Sequence, residues 1–253
     1  MLFYGKTDVG RKRAVNQDNF VIRKYAGEVL FAIVCDGMGG ANGGDTASAV
    51  AVEAFRAELD RSETEHPTFF GMSGEDILDV LSVGVTEANR EVYRMAQNDP
   101  ELSGMGTTLV GCVLEGDRVY AVNVGDSRMY AVSGSEIRQV SHDHSLVQYL
   151  VDCGRMTPEE AKTSTMKNRI TRAVGTEKTV GADFYELNAE IGDKLVLCSD
   201  GLTNHVEPDE IRDIVSRVET RDPATIQDAC ESLIALANER GGTDNITAVV
   251  LAV

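Results

Sequence analysis

The sequence is short of positive charge. It has 24 Lys and Arg residues against 41 Asp and Glu residues, which leaves a formal net charge of -17 over 253 residues. Neutralising nucleic-acid phosphates requires clustered Lys and Arg, so this balance argues against a general nucleic-acid binder. The same deficit argues against binding to an anionic membrane surface. No apolar run approaches the length of a transmembrane helix.

Features typical of secreted chains are also missing. The five cysteines are odd in number and form no Cys-x-x-Cys pair. Cys35, Cys112 and Cys198 lie in apolar strand-like runs and are interpreted as small buried hydrophobic residues in a reducing compartment. A thiolate nucleophile at Cys35 or Cys198 is the alternative, although neighbouring carboxylates raise a thiol pKa. Residues 1–8 lack the layout of a signal peptide, so a cytoplasmic location is expected.

Internal repeats, low-complexity tracts and evident linkers are absent from the sequence. Strand-like runs come in clusters, and helical patterns come in pairs between them. A doubly wound parallel sheet alternates strands and helices one by one, so this grouping predicts antiparallel sheets covered by helices. We expect one domain over residues 1–253, with an irregular segment at about 145–182.

Apolar spacing also locates the longer helices. Helices are predicted over residues 44–60, 74–97, 145–153, 208–217 and 223–239. Ser73 and Asp76 resemble a capping box at the start of the second helix. A polar loop with Pro67 is expected over residues 61–72.

Aspartates stand beside several strand-like runs. The apolar stretches at 30–37, 119–126 and 194–201 lead into Asp36, Asp126 and Asp200. Asp18 and Asp244 stand instead just before apolar runs. A strand end presents a side chain rigidly, so these five carboxylates can converge on one edge of a sheet. Carboxylates held together need cations between them, and hard divalent ions prefer oxygen ligands. The pattern predicts a Mg²⁺ or Mn²⁺ site. For any single aspartate, ordinary turn chemistry after a strand is the alternative.

Eight short motifs follow one another through essentially the whole chain. They are RAVNQD at 13–18, VCDGMGG at 34–40, GMGTT at 104–108, VGDSR at 124–128, DHS at 143–145, ITRAVG at 170–175, SDGL at 199–202 and GGTDN at 241–245. In this order they resemble the metal-dependent protein phosphatases of type 2C, in their compact bacterial form. The resemblance implies an α+β fold: a four-layer α/β/β/α sandwich of two antiparallel sheets flanked by helices. It also implies a metal cleft at one edge of the sheets.

The resemblance implies two Mn²⁺ or Mg²⁺ ions in the core of that cleft. Asp36 would bridge the two ions, and Gly37 would offer its backbone carbonyl to one of them. Asp200 and Asp244 would complete the shell of the other ion. Such ions acidify a water for in-line attack on phosphorus and neutralise charge on the phosphoryl oxygens.

Further roles are implied for Asp18, Asp126 and Arg13. Asp18 would act mainly through metal-bound water, and Asp126 would join Asp200 in holding a third, weaker ion. Arg13 would grip the substrate phosphate, because a planar fork of donors matches its oxygens. The expected catalytic residues are therefore Arg13 and Asp36.

Two positions depart from the family pattern. Position 17 is Gln, where many relatives carry a metal-binding Glu, and a neutral amide is a poorer ligand for a hard cation. Position 38 is Met, where eukaryotic relatives have a His proposed as general acid. Met38 cannot donate a proton, so the leaving group must be protonated by water or by another residue.

The irregular segment carries a local basic patch in an otherwise acidic chain. Its members are Lys162, Lys167, Arg169, Arg172 and Lys178. One interpretation is a solvated surface. The other is a flap beside the metal cleft that contacts phosphoprotein, with Lys167 and Arg169 as substrate-binding residues.

The leading hypothesis is a protein serine/threonine phosphatase that opposes a bacterial Ser/Thr kinase. Its expected partners are that kinase and other phosphorylated proteins, and it is expected to act as a monomer. An inactive relative that binds phosphoproteins is the alternative. A metal phosphodiesterase is disfavoured by the charge. A zinc site at His142 and His144 lacks a third nitrogen or sulfur ligand nearby.

Overall fold

The computed structural model describes residues 1–39, 43–65 and 72–253. Its strands are β1 (Leu2–Asp8), β2 (Asp18–Lys24), β3 (Leu30–Met38), β4 (Gly106–Thr107), β5 (Leu109–Glu115), β6 (Arg118–Val124), β7 (Arg128–Ser133), β8 (Glu136–Gln139), β9 (Asp183–Asn188), β10 (Lys194–Cys198) and β11 (Ile246–Ala252). Its α-helices are α1 (Gly44–Glu65), α2 (Gly74–Asn98), α3 (Leu146–Asp152), α4 (Pro158–Thr163), α5 (Asp200–Thr203), α6 (Pro208–Val215) and α7 (Pro223–Glu239).

The strands form two antiparallel sheets. One sheet has the order β1-β11-β10-β7-β8, and the other has the order β2-β3-β5-β6-β9, with the short β4 paired to β3. Each recorded strand pairing is antiparallel. The grouping of strands and helices in the sequence therefore predicted the correct fold class.

The central strands are apolar on both faces because each face packs against a different layer. In β3, Phe31 and Ile33 belong to the apolar cluster beneath α1 and α2, whereas Ala32 and Val34 belong to the cluster between the two sheets. This division follows from the two-residue period of a strand. A third cluster joins the other sheet to α6 and α7. Three apolar clusters separate four layers, which confirms the predicted α/β/β/α sandwich.

The predicted helix starts agree with the structure better than the predicted ends. The side chain of Ser73 accepts from the backbone amide of Asp76, and the Asp76 carboxylate accepts from the amide of Ser73, so the capping box is confirmed. The expected loop at 61–65 is wrong, because α1 continues to Glu65. Residues 61–66 contain no Gly or Pro that would end the helix before Pro67. Residues 66–71, including Pro67, lie outside the described residues. Among the described helices, each is either too short or too polar to span a bilayer.

Candidate active site

The two sheets bring five aspartates to one edge of the sandwich. Asp18 at the start of β2 is the register partner of Asp36 in β3. Asp126 lies in the connection from β6 to β7, which passes from one sheet to the other. Asp200 begins α5 two residues after β10, and Asp244 precedes β11. The charges of the other four aspartates act on Asp36, so the five carboxylates lie near one another. Asp36 stands inside its strand, because β3 continues into its pairing with β4.

Burial and mutual repulsion make these carboxylates hard to ionise together. Burial raises the pKa of Asp36 well above its usual value, and the charges of neighbouring aspartates raise it further. Those neighbours are Asp18, Asp200, Asp126 and Asp244. Burial raises the pKa of Asp18 from 3.8 to about 7 and that of Asp126 from 3.8 to about 8. The pKa of Asp200 is raised by burial and then by the charge of Asp244.

Two carboxylate oxygens in this cluster have no donor. Oδ2 of Asp18 accepts from the hydroxyls of Ser199 and Thr247, each at 2.7 Å. Oδ1 of Asp18 and Oδ1 of Asp200 are buried without a hydrogen-bond partner among the described residues. Burying an anionic oxygen without a partner lowers the stability of the fold. Such an oxygen is the kind of ligand that hard divalent cations prefer. The donor set therefore fits Mg²⁺ or Mn²⁺.

The carboxylates are not drawn together as a closed ligand set. In the part of the chain that the structure describes, no three Asp, Glu, His or Cys side chains lie at the spacing of a preformed metal site. One reason is that Asp244 has another partner: Nη2 of Arg13 lies 2.8 Å from its Oδ2. The predicted phosphate-gripping arginine thus lies at the cleft, in an ion pair with a predicted metal ligand. Its side chain is half exposed, so the pair is accessible to solvent and easily exchanged.

Asn245 fixes the loop that carries Arg13. Its Oδ1 accepts from the amide of Gln17 at 2.9 Å, and its Nδ2 donates to the carbonyls of Val9 and Val15, each at 3.0 Å. Asn245 belongs to the GGTDN motif, from which no role for it was predicted. An amide that can serve both donors and acceptors beside a predicted ligand was the available signal.

Backbone contacts hold Asp36 and Gly37 in place. The amide of Asp36 donates to Oγ1 of Thr108, and Oγ1 of Thr107 donates to the carbonyl of Asp36, both at 2.9 Å. A Cβ added to Gly37 would lie only 1.9 Å from the carbonyl oxygen of Gly44. Only glycine fits at position 37, because any side chain would clash with the first residue of α1.

A cleft of about 490 Å³ is lined by Arg13 and by four of the five aspartates, which are Asp36, Asp126, Asp200 and Asp244. Met38 and Ile170 line it as well, so its wall is partly apolar. The neighbouring thiols are inert: burial raises the pKa of Cys198 to about 12, and burial with the charges of nearby aspartates raises that of Cys35 above its usual range. The structure thus favours the interpretation of these cysteines as buried hydrophobic residues over a thiolate nucleophile.

The predicted flap, residues 145–182, contains α3 and α4 and lies against the start of α6. A second cavity of about 400 Å³ lies beneath it, lined by Asp126, Asp200 and Lys167 among others. Nζ of Lys167 donates to Oδ1 of Asn204 at 2.9 Å, and Nδ2 of Asn204 donates to Oδ2 of Asp200 at 3.0 Å. Sequence reasoning missed Asn204; its position four residues after Asp200 in a helical turn was the available signal.

The other basic residues of the flap have different surroundings. Lys162 pairs with Glu207, the N-cap residue of α6, at 2.7 Å, and Arg172 pairs with Asp183 at 2.7 Å. Arg169 is exposed, and its backbone carbonyl accepts from the amide of Leu146. The substrate-binding roles of Lys167 and Arg169 stay predictions.

The two histidines near the flap bind different carboxylates. Nε2 of His142 lies 2.8 Å from Asp152, and Nε2 of His144 lies 3.2 Å from Asp183. The amide of Gly125, beside Asp126, donates to Nδ1 of His144 at 3.1 Å. Their separate partners do not support the zinc alternative.

Comparison with known proteins agrees with this geometry. The family model for protein phosphatase 2C matches residues 8–235. Serine/threonine phosphatase Stp of Listeria innocua is 36% identical over 246 residues, which cover 97% of this chain and 93% of that protein. Protein phosphatase PhpP of Streptococcus pneumoniae is 37% identical over 248 residues, which cover 97% of this chain and 94% of that protein.

Solved structures show the same likeness. Serine/threonine phosphatase Stp1 from Staphylococcus aureus superposes with a TM-score of 0.88 at 32% identity, covering all of this chain and 95% of that one. The catalytic domain of phosphatase PstP in complex with two manganese ions superposes with a TM-score of 0.80 at 33% identity, covering 98% of this chain and 96% of that one. The chain therefore belongs to the protein phosphatase 2C family and is a protein serine/threonine phosphatase.

Proposed function

We propose that this phosphatase hydrolyses phosphoserine and phosphothreonine in proteins at the cleft where the five aspartates meet. The observation that carries the proposal is the burial of several carboxylates together, with two oxygens lacking any donor among the described residues. Such a cluster is stable in its ionised form only with cations bound to it. Phosphate ester hydrolysis is the chemistry that a carboxylate-bound pair of divalent ions serves.

The proposed metal ligands are Asp36, the carbonyl of Gly37, Asp200 and Asp244 for two Mn²⁺ or Mg²⁺ ions. The two manganese ions of the PstP catalytic domain support this number. When bound, the ions supply Lewis acidity, which lowers the pKa of a water and offsets charge on the phosphoryl oxygens. We further propose that Asp126 and Asp200 hold a third, weaker ion.

The protein's own residues orient the reactants. Asp18 is fixed by the hydroxyls of Ser199 and Thr247 and keeps one oxygen free to accept from an ordered water. Arg13 exchanges its pairing with Asp244 for the substrate phosphate, which its forked donors fit. No proton donor stands at position 38.

We further propose the partners, the domain organisation, the oligomeric state and the location of the protein. The partners are phosphorylated proteins, including a bacterial Ser/Thr kinase and its substrates. The chain forms one domain over residues 1–253, with the flap contacting phosphoprotein, and it acts as a monomer in the cytoplasm. An inactive phosphoprotein-binding relative is disfavoured, since such a protein has no need of mutually repelling carboxylates.

Hydrolysis of a phosphothreonine peptide tests the proposal. We expect phosphate release with added Mn²⁺ and none after chelation, because the ionised cluster binds substrate phosphate only through cations. Peptide binding without hydrolysis in the presence of Mn²⁺ would contradict the proposal and favour the inactive alternative.

A further inference from the structure

Lys167 connects the flap to a predicted metal ligand. Its ammonium donates to Oδ1 of Asn204 at 2.9 Å, while Nδ2 of the same amide donates to Oδ2 of Asp200 at 3.0 Å. The backbone amide of Asn204 also donates to the carbonyl of Asp200 at 2.7 Å. The turn at the end of α5 thus holds the Asn204 side chain between the flap and the carboxylate.

Lys167 influences Asp200 through its positive charge as well as through the hydrogen bonds of Asn204. Burial and the charge of Asp244 raise the pKa of Asp200, whereas the positive charge of Lys167 opposes that rise. Asp126 lines the same cavity of about 400 Å³. An ammonium on the flap therefore lines the same cavity as two buried carboxylates, and its charge favours the ionised form of one of them.

We propose that Lys167 is a tethered counter-cation for Asp200 and competes with the divalent ion that Asp200 binds. The inference rests on the assignment of Asp200 as a metal ligand in the proposed function. A carboxylate already neutralised by an ammonium gains less from a metal ion, so the lysine lowers metal affinity. Coupling between two equilibria is reciprocal, so metal binding also weakens the docking of the flap through Lys167. Metal loading and release of the flap from α5 are thus linked.

Lys162 offers a matched control on the same flap. It lines the same cavity and carries the same charge, but its ammonium pairs with Glu207, the N-cap residue of α6, at 2.7 Å. Its removal changes the net charge of the flap equally, without touching Asn204 or Asp200. A difference in metal affinity between the two variants would therefore come from the contact of Lys167 with Asn204. It would not come from the net charge of the flap.

The first experiment measures Mn²⁺ affinity by calorimetry for the unaltered protein and for Lys167→Gln, Lys167→Arg and Lys162→Gln. Glutamine can still donate to Asn204 but carries no charge. We expect Lys167→Gln to bind its weakest ion about fivefold or more tightly, at the low end of ordinary coupling between sites. Lys167→Arg and Lys162→Gln should bind like the unaltered protein.

The outcomes separate this inference from the proposed function. Equal Mn²⁺ affinity in Lys167→Gln and Lys162→Gln, or weaker binding in Lys167→Gln, would overturn the inference while leaving the metal assignment intact. Failure of the unaltered protein to bind Mn²⁺ would overturn both.

The second experiment follows hydrogen exchange of the flap. The amides of Lys167 and Arg169 donate to the carbonyls of Ser164 and Met166 in a turn next to the docking lysine. Mn²⁺ should speed exchange at these amides in the unaltered protein. In Lys167→Gln, which keeps a donor to Asn204 but has no charge to compete with the ion, the exchange should not respond to Mn²⁺. Unchanged or slower exchange in the unaltered protein on adding Mn²⁺ would refute the linkage.

Discussion

Asp126→Asn should stabilise the metal-free protein, because it removes a buried carboxylate whose ionisation is opposed by burial and by neighbouring aspartates. Asp126 is 9% exposed, and its pKa is raised from 3.8 to about 8 by burial, then by the charges of Asp200 and Asp143. Asparagine has nearly the same shape and no charge. The substitution therefore isolates the electrostatic cost of this carboxylate.

The size of the effect follows from the raised pKa. A rise from 3.8 to about 8 corresponds to about 6 kcal/mol lost from the free energy of unfolding above pH 8. Burying an amide with incomplete hydrogen bonding costs about 1–3 kcal/mol, so the net gain is smaller. We expect Asp126→Asn to gain about 2–4 kcal/mol at pH 8. For a chain of this length, each kcal/mol raises Tm by roughly 2–4 °C.

The gain should depend on pH in one direction. Between pH 4 and pH 8 the folded protein keeps a proton on Asp126 that the unfolded chain has lost. Stability therefore falls as pH rises through this window, by up to about 1.4 kcal/mol per pH unit for this group. Asparagine does not titrate, so the advantage of the variant should grow with pH, from nearly absent at pH 4.5 to about 2–4 kcal/mol at pH 8.

Urea unfolding of the chelator-treated protein at both pH values measures the effect. Asp117→Asn is the matched control, since Asp117 is exposed in the turn between β5 and β6 and loses the same charge. If the two variants gain equally at pH 8, net charge and not burial is responsible. A gain of Asp126→Asn that is the same at pH 4.5 and pH 8 would refute the electrostatic reasoning.

Substitutions at four other residues test separate parts of the site. Asp36→Asn and Asp244→Asn should each abolish turnover while the metal-free Tm stays equal or rises, most for Asp36; near-normal turnover in either would sink the metal assignment. Arg13→Ala should weaken inhibition by inorganic phosphate more than Arg13→Lys does, because it loses the charged donors altogether; unchanged inhibition in the Ala variant would exclude Arg13 as the phosphate clamp. Asn245→Ala should lower the free energy of unfolding by about 2–3 kcal/mol, since it leaves three backbone groups without partners, and urea unfolding measures it; a loss no larger than that of an exposed Asn→Ala change would contradict its anchoring role.

The sequence could predict which residues reach the edge of the sheets, because short-range rules decide this. A strand period of two residues and an aspartate at the strand end place Asp200 and Asp126 without knowledge of the fold. The register of two adjacent strands then sets Asp18 opposite Asp36. The end of α1 was less predictable, since the residues after position 60 carry no breaker before Pro67.

The partners of the long side chains could not be predicted in the same way. Arg13 and Asp244 are 231 residues apart in sequence, and Lys167 and Asn204 are 37 apart. Their pairing depends on how the loops pack once the sheets have formed, and no periodicity records that. The sequence therefore does not predict the hydrogen bond of Lys167 to Asn204, and the contact of Lys167 with substrate stays a prediction.

The most direct test of the central claim is anomalous diffraction at the manganese edge from crystals soaked in Mn²⁺. We expect two strong peaks in the cleft, both within bonding distance of Asp36. Asp200 and Asp244 should be among the ligands, and Arg13 should no longer pair with Asp244. Peaks only on the protein surface, or none that touch Asp36, would contradict it.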